Sequence, residues 1–548
     1  MKIGLVYIKG SVPGFEDFGN LPTDLVKSNG LVNGVKASKE LDGIIIPGGS
    51  ILESGTMTDD LGFEIKKIAK EGKFVLGNCS GFQCLAIQTD TGRKSQCPII
   101  KKGLGLLDVK FSPLISNDRV EATLKNKSFL TKNIDETEKI TGFHSHTYGH
   151  IEGDATPIFY SFLKRVNYSD VEKNKNKILS GVANDDGNVV GTMIHGLLDE
   201  NPIFTENIFD FLGASPSKID ETFLANAKLK KVIKSELAID SGMNLKNSKY
   251  CTEFKRLVFN SMNKKHLENK VHINENKNFN SGKEIQPNEK DFQGIKNENL
   301  ISKNDFYSYE NNIPPTLMIG STGSDSGKTF ITTGLAGALT KRGLNVLVLK
   351  VGPDVRDLHP SLYLIKGKME EFSSIKIGHL GWMTIENILK RVKNTDYDFV
   401  LIEGVMSVFT GLLNKKIPYS GAEIAISSNI PMLLTSGVSK GGIESAAIDV
   451  TSHAKTLENM GVAINGIILN KVYDMNIFEE LATFIKDNLG INPIAIPKIK
   501  MDERSTRPEV KNMEEFSSSV LDTVKKYADL EKIIYGSYSW VKRIHIIE

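Results

Sequence analysis

The chain has 548 residues, with 68 Lys and Arg against 66 Asp and Glu, 40% apolar residues and four cysteines. That length predicts two to four domains at roughly 100–200 residues each, and the apolar fraction excludes wholesale disorder. A net charge of +2 gives no overall electrostatic footprint for nucleic acid or acidic membrane.

No run approaches the ~18–20 apolar residues that a spanning helix needs. Met1–Gly10 enters a strand pattern directly, without the cleavage site of a signal peptide. Cys79, Cys84, Cys97 and Cys251 form no CxxC pair and are too few for a disulfide framework. These features predict a cytoplasmic, multidomain protein.

Residues 1–225 alternate β-rich runs with helical stretches. Strands are predicted at Ile3–Ile8, Gly43–Ile46, Lys73–Gly77 and Val189–Met193. The second and third enter Gly- or Pro-rich turns, as in an α/β domain with a largely parallel sheet. The apolar run Gly43-Ile44-Ile45-Ile46 suits a strand covered on both faces.

Gly77-Asn78-Cys79-Ser80-Gly81 follows the third strand and precedes a helical stretch, Phe82–Ile87. Small residues around Cys79 permit a sharp, strained strand-to-helix turn that presents the thiol. A helix N-terminus beneath the sulfur favours thiolate over the ordinary pKa near ~8.5. The plainer alternative is a small cysteine buried after a strand. His195 closes the Val189–Met193 strand, where an imidazole can meet a thiol from a neighbouring strand end. Gly48-Gly49-Ser50 closes another and can offer backbone N–H groups to an oxyanion. Each has a structural alternative when taken singly; together at strand ends they point to a nucleophile, a base and an oxyanion site.

From about Lys228 to Asn312 the chain is dense in Asn, Lys, Glu and Ser. The apolar residues there have no sustained period, so residues 226–312 are predicted to be a polar linker, with one helix near Cys251–His266. A flexible tether of about 80 residues spans roughly 50 Å r.m.s..

A second α/β domain is predicted at 313–530, with a tail at 531–548. Its strands are expected at Thr316–Ile319, Asn345–Lys350, Asp398–Glu403, Pro431–Thr435 and Gly466–Asn470. Between the first strand and a helix from Lys328 to about Thr340 lies Thr322-Gly323-Ser324-Asp325-Ser326-Gly327-Lys328-Thr329. Small residues let successive backbone N–H groups wrap a polyphosphate, Lys328 reaches its outer oxygens, and the Thr329 hydroxyl can hold Mg²⁺. Thr322 stands where the strict GxxxxGK[ST] pattern has its first Gly. A solvated lysine in a Gly-rich turn is the alternative. Asp354 and Glu403 follow strands and would lie beside the loop at the carboxyl edge of the sheet. Two carboxylates and a hydroxyl suit Mg²⁺, although either carboxylate alone could be a surface charge.

GNCSGFQ resembles the nucleophile motif of class I glutamine amidotransferases, and IIIPGGS their oxyanion loop. GTMIHGLLDEN, GLGLLDVKF and ITGFHSHTYGH resemble the glutaminase domain of the cobyric acid synthase family. The resemblance implies Cys79 as nucleophile, His195 as its base, and Gly48, Gly49, Ser80 and Gln83 around the glutamine and its oxyanion. The third triad member of ordinary class I enzymes falls at Leu197, so a Cys-His dyad is expected, as is typical of this branch. KVGPDVRDLHP and VLIEGVMSVFTG resemble the cobyrinic acid a,c-diamide synthase family, relatives of dethiobiotin synthetase, and GAEIA and GIILNKV continue the match. That likeness implies ATP and Mg²⁺ at Lys328 and Thr329, magnesium ligation by Asp354 and Glu403, and Asp357 near the substrate carboxylate. Ser373–Met383 replaces the family's substrate segment, and the domain order is reversed.

The resemblance implies two doubly wound, mostly parallel-sheet α/β domains, class I glutaminase-like and then P-loop NTPase-like, joined by the polar linker. It further implies glutamine- and ATP-dependent amidation of peripheral carboxylates of a tetrapyrrole, of the cobyrinic acid type or as a nickel-sirohydrochlorin a,c-diamide synthase. Expected partners are L-glutamine and a tetrapyrrole polycarboxylate, with neither nucleic acid nor membrane; a homodimer is one option for assembly. Two alternatives remain at this point. A partitioning-type ATPase switch would carry a second lysine early in the loop, and residues 319–327 have none. A dethiobiotin-synthetase-like carboxylase would turn over ATP independently of glutamine and Cys79.

Overall fold

The computed structural model describes residues 1–12, 16–93, 95–135, 137–163, 177–239, 313–378, 380–411, 420–439, 441–499 and 513–537. The helix expected near Cys251–His266 lies outside them.

The first sheet has nine strands: β1 (Ile3–Val6), β2 (Asp24–Val26), β3 (Gly43–Ile46), β4 (Phe74–Asn78), β5 (Arg119–Leu124), β6 (Ile140–Phe143), β7 (Thr156–Phe162), β8 (Lys177–Ala183) and β9 (Val189–Thr192). Their spatial order is β6-β5-β7-β8-β9-β4-β3-β1-β2. The pairs from β9 to β2 are parallel. Those from β6 to β9 are antiparallel, an extension that the sequence reading did not place. β3 and β4 are buried at every residue, because helices and loops cover both faces of a parallel sheet and select continuous apolar runs. A smaller four-stranded sheet includes Gln88–Asp90 and Val109–Ser112.

The second sheet is wholly parallel: β10 (Thr316–Ser321), β11 (Val346–Val351), β12 (Ser374–Ile375), β13 (Phe399–Glu403), β14 (Met432–Gly437), β15 (Ile464–Val472) and β16 (Ile494–Pro497). The order β12-β11-β13-β10-β14-β15-β16 places β10 between β13 and β14. The chain reverses direction across the sheet there, which opens a crevice at the carboxyl ends of the strands.

Two domain boundaries sit differently from the sequence reading. The helix Pro216–Ile239 runs through residue 225 and into the stretch assigned to the linker. Its Asn226 side chain donates to Pro22 O at 2.9 Å, anchoring it to the N-terminal domain. At the other end, Leu530–Ser537 is a helix rather than tail, with Ile533 and Ile534 buried in the second domain's core. The helix Met513–Tyr527 packs on the helix Lys328–Lys341. Gly334 allows this approach: a Cβ there would lie 2.3 Å from Val524 Cγ2. Among the described residues, no helix is long and apolar enough to cross a membrane.

Candidate functional site

Cys79 joins β4 to the helix Ser80–Leu85 with φ 49°, ψ −109°, a strained conformation for a residue with a side chain. The flanking glycines make the turn feasible. A Cβ on Gly81 would stand 2.1 Å from Ile46 O, and one on Gly77 would stand 2.7 Å from Leu85 Cδ1. The expected elbow therefore forms, and the parallel pairing of β9 with β4 carries His195 to the same edge. Gly48 lies against both residues: a Cβ there would be 2.9 Å from His195 Cε1 and 3.5 Å from Cys79 Cβ. Of the residues expected to contact glutamine, Ser80 accepts through Oγ from Leu52 N at 3.2 Å. Gln83 Nε2 donates to Tyr148 O at 2.8 Å, and Gly49 adopts φ 126°.

The dyad expectation is corrected by Glu16. Its Oε1 lies 2.7 Å from His195 Nδ1 and accepts from Asn78 Nδ2 at 2.7 Å; its Oε2 accepts from Gly196 N at 2.8 Å. A carboxylate only accepts, so Nδ1 carries a proton, which leaves Nε2 for the sulfur side. Glu16 is 5% exposed and His195 fully buried. Burial opposes charge on His195, yet Cys79 and Glu16 push its imidazole up to about 10. The acid was sought at Leu197, just after the histidine; it arrives instead from the loop after β1. The sole sequence cue was an acidic residue in a loop following a strand. Its neighbour Asp17 is held by Lys230 at 2.6 Å and Lys368 at 3.1 Å. These contacts keep its carboxyl below the usual range despite the opposing effect of burial.

In the second domain the Thr322–Thr329 turn wraps the start of the helix Lys328–Lys341. Gly327 has φ 89°, and a Cβ there would lie 1.8 Å from Asn470 Nδ2. That amide donates to Ser326 O at 3.1 Å. Thr322 Oγ1 lies 2.9 Å from Ser436 Oγ, and Gly323 O accepts from Ser326 Oγ and Lys328 Nζ. Ser324 and Asp325 are exposed at the lip. Lys328 Nζ also donates to Ser321 Oγ and Met406 O. Burial and the neighbouring Lys350 bring Lys328 down to about 8.

Thr329 Oγ1 donates to Glu403 Oε1 at 2.8 Å. Lys350, 2% exposed, bridges Glu403 and Asp357 at 2.9 and 2.8 Å. Asp354 pairs with Arg356 at 2.9 Å and accepts from Asn117 of the first domain at 3.3 Å. The acid that shares Lys350 with Glu403 is thus Asp357, whereas the sequence reading grouped Asp354 with Glu403. Lys350 itself was given no role there. Glu403 Oε2 is buried without a hydrogen-bond partner, and burial pushes this carboxyl up against the opposing pull of Lys350. A hydroxyl, a carboxylate with one free oxygen and a lysine-tipped turn fit Mg²⁺ carried on a polyphosphate. Mg²⁺ usually takes one or two protein carboxylates and completes its shell from phosphate and water. Among the described residues no group of three or more His, Cys, Asp or Glu could hold a metal ion by itself.

The two domains meet at these sites. Ser145 Oγ lies 3.0 Å from His359 Nε2, and Arg356 Nη1 donates to Thr147 Oγ1 at 2.7 Å. Phe143 sits between His195 (ring centroids 5.2 Å) and Trp382 (5.1 Å). Trp382 belongs to the Ser373–Met383 segment.

An elbow cysteine backed by His-Glu, joined in one chain to a P-loop unit, defines a glutaminase-type domain coupled to a nucleotide-binding domain. Residues 14–203 match the CobB/CobQ-like glutamine amidotransferase domain, and residues 317–515 match the CobQ/CobB/MinD/ParA nucleotide binding domain, in that order. Both domains are similar to those of cobyrinate a,c-diamide synthases and cobyric acid synthases. It is 34% identical over 160 residues to the cobyrinate a,c-diamide synthase of Syntrophotalea carbinolica, covering 29% of this chain and 33% of that one. It is 31% identical over 193 residues to the cobyric acid synthase of Caldanaerobacter subterraneus subsp. tengcongensis, covering 32% and 34%. The chain thus spans about a third of the length of these relatives. A solved PurLQS structure from Thermotoga maritima aligns at 20% identity and TM-score 0.30, covering 38% of this chain and 98% of that one.

Proposed function

We propose that this protein is an ATP- and glutamine-dependent amidoligase acting on peripheral carboxylates of a tetrapyrrole of the cobyrinic acid type. The observation that supports this most directly is the contact between a Cys79–His195–Glu16 site and the Lys328–Asp357–Glu403 site within one chain. Names of the similar relatives support the substrate class.

A carboxylate does not react with ammonia, because oxide is a poor leaving group. Phosphoryl transfer from ATP to the substrate carboxylate provides a leaving group, and Mg²⁺, when bound, neutralises charge on the transferring phosphoryl. Thr329, Glu403 and Asp357 would hold that ion, and Lys328 would hold the outer phosphate oxygens. Cys79 Sγ attacks the glutamine amide, His195 passes the proton to the departing ammonia, and water then releases glutamate from the thioester. Glu16 keeps the imidazole in the required tautomer throughout. Gly48 and Gly49 offer backbone N–H groups to the oxyanion.

The test is mass spectrometry of the purified protein with glutamine, ATP, Mg²⁺ and a panel of corrinoid and sirohydrochlorin acids. Each amide formed lowers the product mass by about 1 Da, so the spectrum counts the carboxylates modified and separates corrinoid from nickel-tetrapyrrole substrates. No mass change across the panel, with ammonia as well as glutamine, would refute the assignment.

A further inference from the structure

We propose that His359 is a positioning residue through which the nucleotide site controls the Cys79 nucleophile, by way of Ser145. This rests on the reading of Cys79 as the residue that attacks glutamine.

The contacts form a continuous path. Lys350 binds Asp357, and Asp357 lies in the short helical turn Val355–Leu358 that leads directly into His359. His359, 7% exposed, lies 3.0 Å from Ser145 Oγ. Ser145 is 3% exposed, and Cys79 Sγ donates to its carbonyl oxygen at 3.8 Å. Asp354 and Arg356, from the same segment, are bonded to Asn117 and Thr147. The segment is therefore fixed to the first domain by two further contacts just ahead of His359.

A carbonyl oxygen beside Sγ opposes negative charge on the sulfur, so this contact restrains the nucleophile. A magnesium nucleotide at Thr329 and Glu403 competes with Lys350 for Asp357, and only one residue separates Asp357 from His359. Movement of that turn carries His359, and with it the Ser145 carbonyl, away from the sulfur. Glutamine is then attacked when the nucleotide site is loaded. Couplings between two sites are typically about 5- to 150-fold in affinity, which sets the scale of the expected effect.

The full-length protein is treated with the glutamine analogue 6-diazo-5-oxo-L-norleucine, with and without a non-hydrolysable ATP analogue and Mg²⁺, and alkylation of Cys79 is timed by intact-mass spectrometry. The expected result is at least fivefold faster labelling with the nucleotide. In His359→Ala and Ser145→Ala, labelling should be fast without nucleotide and insensitive to it, whereas His359→Gln should restore part of the nucleotide effect. A merely structural role for His359 would slow labelling instead. An unchanged rate in the wild type, or a full nucleotide effect in His359→Ala, overturns the proposal. If Cys79 is never labelled under either condition, the glutaminase reading fails and takes this proposal with it.

Discussion

The Nδ1 nitrogen of His195 and the Oε1 oxygen of Glu16 lie 2.7 Å apart although 179 residues separate them in sequence. Both groups are buried, and Asn78 and Gly196 hold the carboxylate from two further directions. Glu16→Ala removes the acceptor that fixes the imidazole tautomer. Glutamine-driven synthesis should fall on the order of 10²-fold or more, within the range of general acid–base effects. Synthesis with added ammonium should be retained. Glutamine hydrolysis at wild-type rate in this variant would rule out Glu16 as the orienting group.

Under the proposed function Cys79 and Lys328 serve different half-reactions, so their variants should separate. Cys79→Ala should lose glutamine-dependent amidation and keep activity with ammonia. Lys328→Ala should lose both, because carboxylate activation precedes amide formation. The two nitrogen sources can be compared in one product assay. Undiminished glutamine use in Cys79→Ala would remove it as the nucleophile, and retained product in Lys328→Ala would remove ATP from the mechanism.

Asp357 and Asp354 make a second contrast. Asp357 shares Lys350 with Glu403, whereas Asp354 ties Arg356 and Asn117 across the domain contact. Asp357→Asn should reduce ammonia-driven turnover and raise the Mg²⁺ concentration required. Asp354→Asn should mainly weaken the use of glutamine relative to ammonia. Titration of activity with Mg²⁺ distinguishes them, and the reverse ranking would restore Asp354 as the metal-side acid.

The buried His144 and His146 predict sensitivity to acid. Burial holds both neutral: His144 lies well below the ordinary value, and His146 is brought down to about 3. In the unfolded chain each takes up a proton near pH 6.5. Below that pH the unfolded state binds more protons, so stability falls with acid, and for His146 the loss continues to about pH 3. The limiting slope is about 1.4 kcal/mol per pH unit for each group; above pH 6.5 neither adds a dependence. Thermal unfolding between pH 8 and pH 4.5 should show a shallower decline in His146→Gln than in the wild type. Parallel curves would contradict the assignment.

Much of the site was legible because short-range steric rules write themselves into sequence. Gly77, Cys79 and Gly81 marked an elbow, since a side chain at Gly81 would strike the Ile46 carbonyl. The turn ending Gly327-Lys328-Thr329 was legible for the same kind of reason, since a side chain at Gly327 would strike Asn470. The apolar runs at Gly43–Ile46 and Phe399–Glu403 gave buried parallel strands. Glu16 was hidden because nothing local distinguishes a loop acid that reaches a distant histidine from one that faces water. Lys350 was hidden because a lysine inside an apolar strand declares its partners only once Glu403 and Asp357 are brought to it. The helices Pro216–Ile239 and Leu530–Ser537 were misjudged at their boundaries because polar composition masked the few residues that anchor them.

The sequence by itself determined two α/β units, a cysteine turn, a Gly-rich turn ending in Lys328-Thr329 and their order along the chain. These depend on backbone sterics and apolar periodicity, which act over a few residues. Only the tertiary structure decided that Glu16 meets His195, that Asp357 shares Lys350 with Glu403, and that His359 touches Ser145 beside Cys79. Such pairings join residues that neither spacing nor composition connects; packing brings them within hydrogen-bond reach, and burial requires each polar group to find a partner.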